Sequence, residues 1–148
     1  NPVDHMKTRL KIILVLTVLG FVISCGNKKN KPEMYEPSEL ASTMKQMLKD
    51  YESAKNRLDE GQLILSPVDY HKKILTAEPT DSSDINDLYM SLGQTFIDQA
   101  DRYAAVKDSL PHQVAMHNLT IKACINCHEH FCGGPITAIK KLFVVENL

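Results

Sequence analysis

The sequence contains one complete C-x-x-C-H motif, Cys124-Ile125-Asn126-Cys127-His128, which restricts the folds open to the chain. This pattern attaches c-type haem: two thiols three residues apart form thioethers to one porphyrin, and the next histidine ligates the iron. On a helix, Cys124 and His128 share one face, with Cys127 beside them. We therefore predict that Cys124 and Cys127 hold one haem c per chain and that His128 is the proximal iron ligand.

The motif is short, so two other interpretations stay open at this stage. One is a pair of thiols with no special role. The other is a structural zinc module, for which the sequence offers enough ligands for a tetrahedral site: Cys124, Cys127, Cys132 and either His128 or His130.

The first part of the chain indicates export. Residues 1–5 precede Met6 and are interpreted as an upstream extension, and residues 6–24 are predicted to be a signal peptide. In it, three basic residues precede an apolar run over 12–23 that is shorter than the roughly 20 residues of a permanent transmembrane helix. The run ends in Val22-Ile23-Ser24-Cys25, which resembles the bacterial lipobox and implies cleavage before Cys25 and lipidation of its thiol. The alternative is an ordinary signal peptide that ends beside a free or buried cysteine.

Export and the haem motif support each other, because c-type haem is attached after export, whereas a zinc module is more typical of a reducing cytosol. The fourth cysteine, Cys132, has no predicted partner, and we interpret it as a packed thiol near the haem.

Composition and charge fit a small exported domain. Residues 25–37 are polar, basic and twice interrupted by proline, which predicts a flexible tether to the folded domain over 38–148. Removal of residues 1–24, with three basic side chains and one acidic, takes the net charge from −1 to −3. This mild acidity argues against binding to nucleic acid. No nucleophile and base, phosphate loop or carboxylate pair stands out, so we predict an electron carrier and not an enzyme.

Helical periodicity predicts an all-α fold with few strand signals. The first helix should run from the N-cap Ser38 to Gly61, and a shorter helical segment should open at Pro67. A third helix follows the polar run 80–84, with an apolar stripe made of Ile85, Leu88, Leu92, Phe96, Tyr103 and Val106. The fourth begins at Ser109 and carries the motif until residues 133–135 (Gly-Gly-Pro) end it, before a short C-terminal helix. We predict an antiparallel four-helix bundle with haem on its last main helix.

A C-x-x-C-H in the last helix of such a bundle resembles the class II cytochromes c, which comprise cytochrome c prime and its low-spin, Met-ligated relatives. The run from Cys124 to Phe131, in which an acidic residue and an aromatic follow the motif, is similar to that family's last helix. Residues 37–47 and 134–142 also resemble lipid-anchored cytochromes of Bacteroidetes-type bacteria. The resemblance implies a haem held between helices and, in low-spin members, a Met of the first helix as sixth ligand.

The first helix offers Met44 and Met47 for that position. Counted back from the Gly61 turn, Met44 lies closer to the family's ligand position, so it is our candidate distal ligand and Met47 the second choice. A methionine stripe at helical spacing is more commonly core packing. His117 shares a helix with His128 and cannot easily reach the opposite side of the iron. The other histidines are expected at the surface: His71, His112 and His130.

The leading functional prediction is a periplasmic monohaem cytochrome, held on a bacterial membrane by lipid on Cys25, that passes single electrons between redox proteins. The family also implies that a homodimer is possible. The alternative is a five-coordinate cytochrome c prime-like protein that binds NO or CO. The zinc module is the second alternative.

Overall fold

The computed structural model describes residues 36–65 and 70–145, and these residues are helical without strands. Three long helices, α1 (Glu39–Asp59), α2 (Asp87–Ala105) and α3 (Leu110–Phe131), are followed by the five-residue α4 (Ile136–Lys140). Two 3₁₀ helices, Tyr70–Leu75 and Ser82–Asp84, lie between α1 and α2. The all-α prediction is confirmed, whereas the predicted signal peptide, Cys25 and most of the tether lie outside the described residues.

Capping side chains set the beginnings of the long helices. The Ser38 hydroxyl accepts a hydrogen bond from the Ala41 amide at 3.1 Å, and Ser109 does the same for the His112 amide at 3.4 Å, as predicted for both helices. Gly61 has φ of 75°, a left-handed conformation that glycine adopts cheaply and that ends α1. The cap of α2 is Asn86, beyond the predicted polar run, and its side chain accepts from the Tyr89 amide at 3.0 Å.

The predicted second helical segment is a six-residue 3₁₀ helix in the described residues. His71 and Ile74 are both buried and three residues apart, which is the period of a 3₁₀ helix. This helix packs closely on α2, since a Cβ placed on Gly93 would lie 2.5 Å from Leu75 Cδ2. This short, closely packed 3₁₀ helix stands where a longer second helix was expected.

Aromatic contacts give the relative direction of α2 and α3. Tyr103 near the end of α2 meets His117 of α3 at 5.4 Å between ring centroids, and Tyr89 near the start of α2 meets Phe131 at 5.5 Å. These two contacts make α2 and α3 antiparallel. The main core lies among α1, the 3₁₀ helix Tyr70–Leu75, α2, α3 and the C-terminal segment. Its buried residues are Met47, Tyr51, Ile74, Phe96, Ile97, Ala100, Tyr103, Ile121, Ile139 and Leu142.

The predicted apolar stripe of α2 is wrong at its first two residues, because Ile85 and Leu88 are exposed. Helix α2 begins at Asp87, so Ile85 precedes it and does not share its periodicity. The buried face of α2 instead starts one residue after Leu88 and consists of Tyr89, Gly93, Phe96, Ile97, Ala100 and Tyr103. In the part of the chain that the structure describes, no helix combines the length and hydrophobicity required to cross a membrane.

Two amide side chains on α3 hold the loops around it. Gln113, which is 1% exposed, accepts from the Ile64 amide at 2.7 Å and donates to the Ile64 and Val106 carbonyls at 2.9 and 2.7 Å. Asn118 pairs with both backbone groups of Val144 at 3.0 Å. These bonds satisfy backbone groups that have no helix or sheet to pair with.

We expect Gln113→Leu to lower the free energy of unfolding by about 2–4 kcal/mol, because it leaves three backbone groups without partners in a buried site. Urea unfolding followed by circular dichroism measures the change. The matched control is Gln94→Leu, since exposed Gln94 bonds only to Asp98 one turn away. That control should change stability by less than about 0.5 kcal/mol. Equal effects of the two substitutions would contradict the prediction.

Candidate haem site

The C-x-x-C-H motif lies in the last two turns of α3, and its helix runs unbroken to Phe131. Cys124, Cys127 and His128 are all partly buried and all border the same cavity, described below. The predicted common face is therefore present. The predicted stop is also present, since α3 ends before the Gly-Gly-Pro sequence at 133–135.

A hydrogen bond at the end of α3 fixes the ring of His128. Its Nδ1 lies 3.0 Å from the backbone oxygen of Cys132, and the Cys132 amide donates to the His128 carbonyl at 3.1 Å. A carbonyl oxygen can only accept, so Nδ1 carries the proton and the neutral ring keeps its free lone pair on Nε2. A hydrogen bond from the ring N–H to a backbone carbonyl commonly orients a metal-binding histidine and raises its basicity.

A cavity of about 500 Å³ opens between α1 and α3. This volume lies within the range of about 300–1,000 Å³ typical of small-molecule and cofactor sites. The motif residues line one wall, while Met44 and Met47 of α1 line another. Most of the remaining lining is apolar or aromatic, including Leu40, Leu48, Tyr51, Tyr89, Phe96, Phe131, Ile139 and Leu142.

Burial keeps the motif thiols protonated. It raises the pKa of Cys124 to about 12, with a smaller contribution from nearby Cys127, and it also raises the pKa of Cys127. Within residues 36–65 and 70–145, no three His, Cys, Asp or Glu side chains are close enough to hold a metal ion. The predicted zinc set of Cys124, Cys127, Cys132 and either His128 or His130 is thus not assembled in the described residues. The prediction that Cys132 is a packed thiol is wrong, because Cys132 follows the end of α3 and is exposed.

Both predicted methionine candidates border the cavity, but they differ in burial. Met47 is buried in the main core, whereas Met44 is only partly buried and packs against that core. The thioether of Met44 is therefore less committed to packing. Lys45 also lines the cavity from α1.

The other four histidines of the described residues do not line the cavity. His112 and His130 are exposed, as predicted. The prediction for His71 is wrong: the residue is 3% exposed, because its 3₁₀ helix packs on α2, where its Nε2 lies 2.9 Å from Asp101. His117 is fully buried and holds the C-terminal segment, with Nε2 2.9 Å from the Leu142 carbonyl oxygen.

Two residues that line the cavity were not predicted as part of the site, Tyr51 and Tyr89. Tyr51 lies seven residues after Met44 on the same helical face, and that spacing could have identified it. Tyr89 closes another side, where its hydroxyl donates to the Ile74 carbonyl at 2.5 Å and burial raises its pKa to about 12. No sequence signal marks Tyr89, since it becomes a wall only through the packing of α2 on Phe131.

Comparisons of the chain with family models, curated proteins and solved structures found no match in any of the three. The resemblance to class II cytochromes c therefore rests on the residues of this chain alone.

His117 predicts a pH dependence of stability. Burial lowers its pKa, which outweighs the hydrogen bond to the Leu142 carbonyl that raises it. As pH falls below about 6.5, His117 therefore binds a proton in the unfolded state but not in the folded state. The free energy of unfolding is unaffected by this group above about pH 6.5, and it decreases as pH falls from there toward the folded-state pKa. We expect at most about 1.4 kcal/mol per pH unit from this one group.

Unfolding free energies measured from pH 7 to pH 5 test this expectation. His117→Gln, which keeps a donor and an acceptor but does not titrate, should weaken the loss of stability in acid. His112→Gln is the matched control, because His112 is exposed and its side chain makes no hydrogen bond in the described residues. An unchanged pH profile in His117→Gln would refute the assignment.

Proposed function

We propose that the protein is a monohaem c-type cytochrome that carries single electrons. The observation that supports this most is the cavity of about 500 Å³, which brings the complete C-x-x-C-H motif of α3 and both candidate methionines of α1 to the same space. The apolar lining suits a large planar prosthetic group and excludes water from it. The residues present therefore fit a haem.

Each motif residue has a defined task in this proposal. Cys124 and Cys127 hold the group through thioethers, and His128 presents Nε2 while Cys132 fixes the ring through Nδ1. Haem iron bound there would supply reversible one-electron chemistry. The apolar walls keep the site dry, and Tyr89 and Phe131 close one side of it.

We infer further that the three long helices and the 3₁₀ helix at Tyr70–Leu75 enclose the group as an antiparallel bundle of the class II type. Met44 is the proposed sixth ligand, because it borders the cavity without being fully committed to the core. Thioether ligation would raise the reduction potential relative to a second histidine. The proposed location is the periplasmic side of a bacterial membrane, with lipid on Cys25 as anchor and redox proteins as partners.

The second candidate function is binding of NO or CO at an open sixth position. It is favoured by the aliphatic residues Leu40 and Leu48, which line the α1 side beside the methionines. If neither methionine ligates, that side offers an apolar pocket suited to a small uncharged gas. Spectra of the ferric protein and CO binding by the ferrous protein distinguish the two functions.

The first test is covalent attachment. Protein exported from a host that matures c-type cytochromes should gain the mass of one haem per chain in intact mass spectrometry under denaturing conditions. Cys124→Ser and Cys127→Ser should each greatly reduce the haem-bearing fraction, because each removes one thioether. Cys132→Ser is the matched control and should keep it, since Cys132 contacts His128 through its backbone oxygen and not its thiol. A wild-type chain without added mass would contradict the proposal.

The second test identifies the sixth ligand. Met44→Ala should abolish the far-red sulfur-to-iron charge-transfer band of the ferric protein and make the ferrous protein bind CO. Met47→Leu should keep the band and cost less than about 1.5 kcal/mol of stability, because it conserves volume in the core. Loss of the band in Met47→Leu alone would reassign the ligand to Met47. A wild-type protein that is high-spin without the band would favour the gas-binding function.

A further inference from the structure

Tyr51 differs from the other tyrosines in the described residues because its hydroxyl has no hydrogen-bond partner there. Tyr70 donates to Asp50, Tyr89 to the Ile74 carbonyl, and Tyr103 lies 3.3 Å from Nδ1 of His117. Tyr51 is only 5% exposed and sits against the rings of Tyr103 and His117. A phenol in such a place gains from any occupant that accepts its hydrogen bond.

Tyr51 is one of the residues that line the cavity. Across residues 36–65 and 70–145, no fully enclosed side-chain nitrogen or oxygen lacks a partner, so the Tyr51 oxygen must border open space. The open space that Tyr51 lines is the cavity between α1 and α3. The hydroxyl is thus available to whatever occupies that cavity.

The phenol can act only as a neutral hydrogen-bonding group in this environment. Burial raises the pKa of Tyr51 well above its usual value, and nearby Cys124 adds to the effect. The group therefore keeps its proton throughout the physiological range and offers a donor. The neighbouring rings do not accept this proton. His117 donates from Nε2 to the Leu142 carbonyl, so its Nδ1 is the acceptor, and that acceptor is already bonded to the Tyr103 hydroxyl.

We propose that Tyr51 donates a hydrogen bond to an oxygen acceptor carried by the occupant of the cavity. This inference rests on the proposed haem function. The acceptor is either a carboxylate of the prosthetic group itself or a small ligand held on the α1 side, where Met44 and Met47 lie seven and four residues before Tyr51. In both cases Tyr51 is a specificity-determining residue that adds one polar contact to an otherwise mostly apolar site.

Tyr51→Phe tests the proposal, because it removes only the hydroxyl. The matched control is Tyr103→Phe, which makes the same chemical change one ring away, outside the cavity lining. Tyr103 already has a partner in His117, so its substitution should lower folding stability without altering the occupant. Both variants are prepared as haem-loaded protein.

The first arm measures the reduction potential as a function of pH with no added ligand. If the acceptor is a carboxylate of the group, Tyr51→Phe should lower the potential at neutral pH, because the carboxylate charge is less neutralised and favours the oxidised state. The second arm uses CO on the ferrous Met44→Ala protein with and without Tyr51→Phe. If the acceptor is a small ligand, Tyr51→Phe should raise the C–O stretching frequency and speed CO release roughly two- to tenfold, the equivalent of one hydrogen bond.

A change in either arm that Tyr103→Phe does not reproduce supports the proposal and identifies the source of the acceptor. No change in either arm overturns it while leaving the haem function intact, provided that mass spectrometry shows the covalent haem. A chain that carries no haem overturns both.

Discussion

The site depends on how α1 is held away from α3. At its beginning, α1 is tied to the chain before α2, where the Leu40 amide donates to the Glu78 carbonyl at 2.9 Å and Glu39 accepts from the Glu78 amide. Toward its other end, Tyr51 packs on His117, and Leu58 shares a buried cluster with Val114. Between these two attachments the helices do not close on each other, and the cavity occupies that interval. The fold thus keeps open a space that apolar side chains alone would tend to collapse.

The position of the helix stop matters for the same reason. The last carbonyls of a helix lack intrahelical partners, and here one of them lies within reach of the motif histidine. Because α3 ends at Phe131, three residues after His128, the backbone carbonyl of Cys132 can turn back and accept from Nδ1. If the helix continued, that carbonyl would be committed to the helix itself. The Gly-Gly-Pro sequence therefore contributes to the orientation of His128 as well as to chain direction.

The sequence was sufficient for features that depend on local chemistry and insufficient for those that depend on packing. The caps Ser38 and Ser109, the Gly61 stop and the shared face of Cys124 and His128 follow from side chains within one or two turns, and all are present. The burial of His71 could not be read in the same way, because it follows from the close approach of a short 3₁₀ helix to Gly93. Ile85 is the opposite case: its spacing predicted a buried helical position, but the helix begins two residues later and Ile85 is exposed.

Helix α1 explains why core and site are hard to separate in such a sequence. Met44, Met47 and Tyr51 follow one helical stripe, and a stripe of this kind ordinarily predicts core alone. In the fold, Met47 packs in the core, Met44 remains partly free at the cavity, and Tyr51 does both, with its ring in the core and its hydroxyl unpaired. Periodicity reports only that these residues face inward. Periodicity does not show whether an inward-facing residue meets a packed side chain or a cavity. That depends on α3, because the motif on α3 would carry the haem that α1 covers.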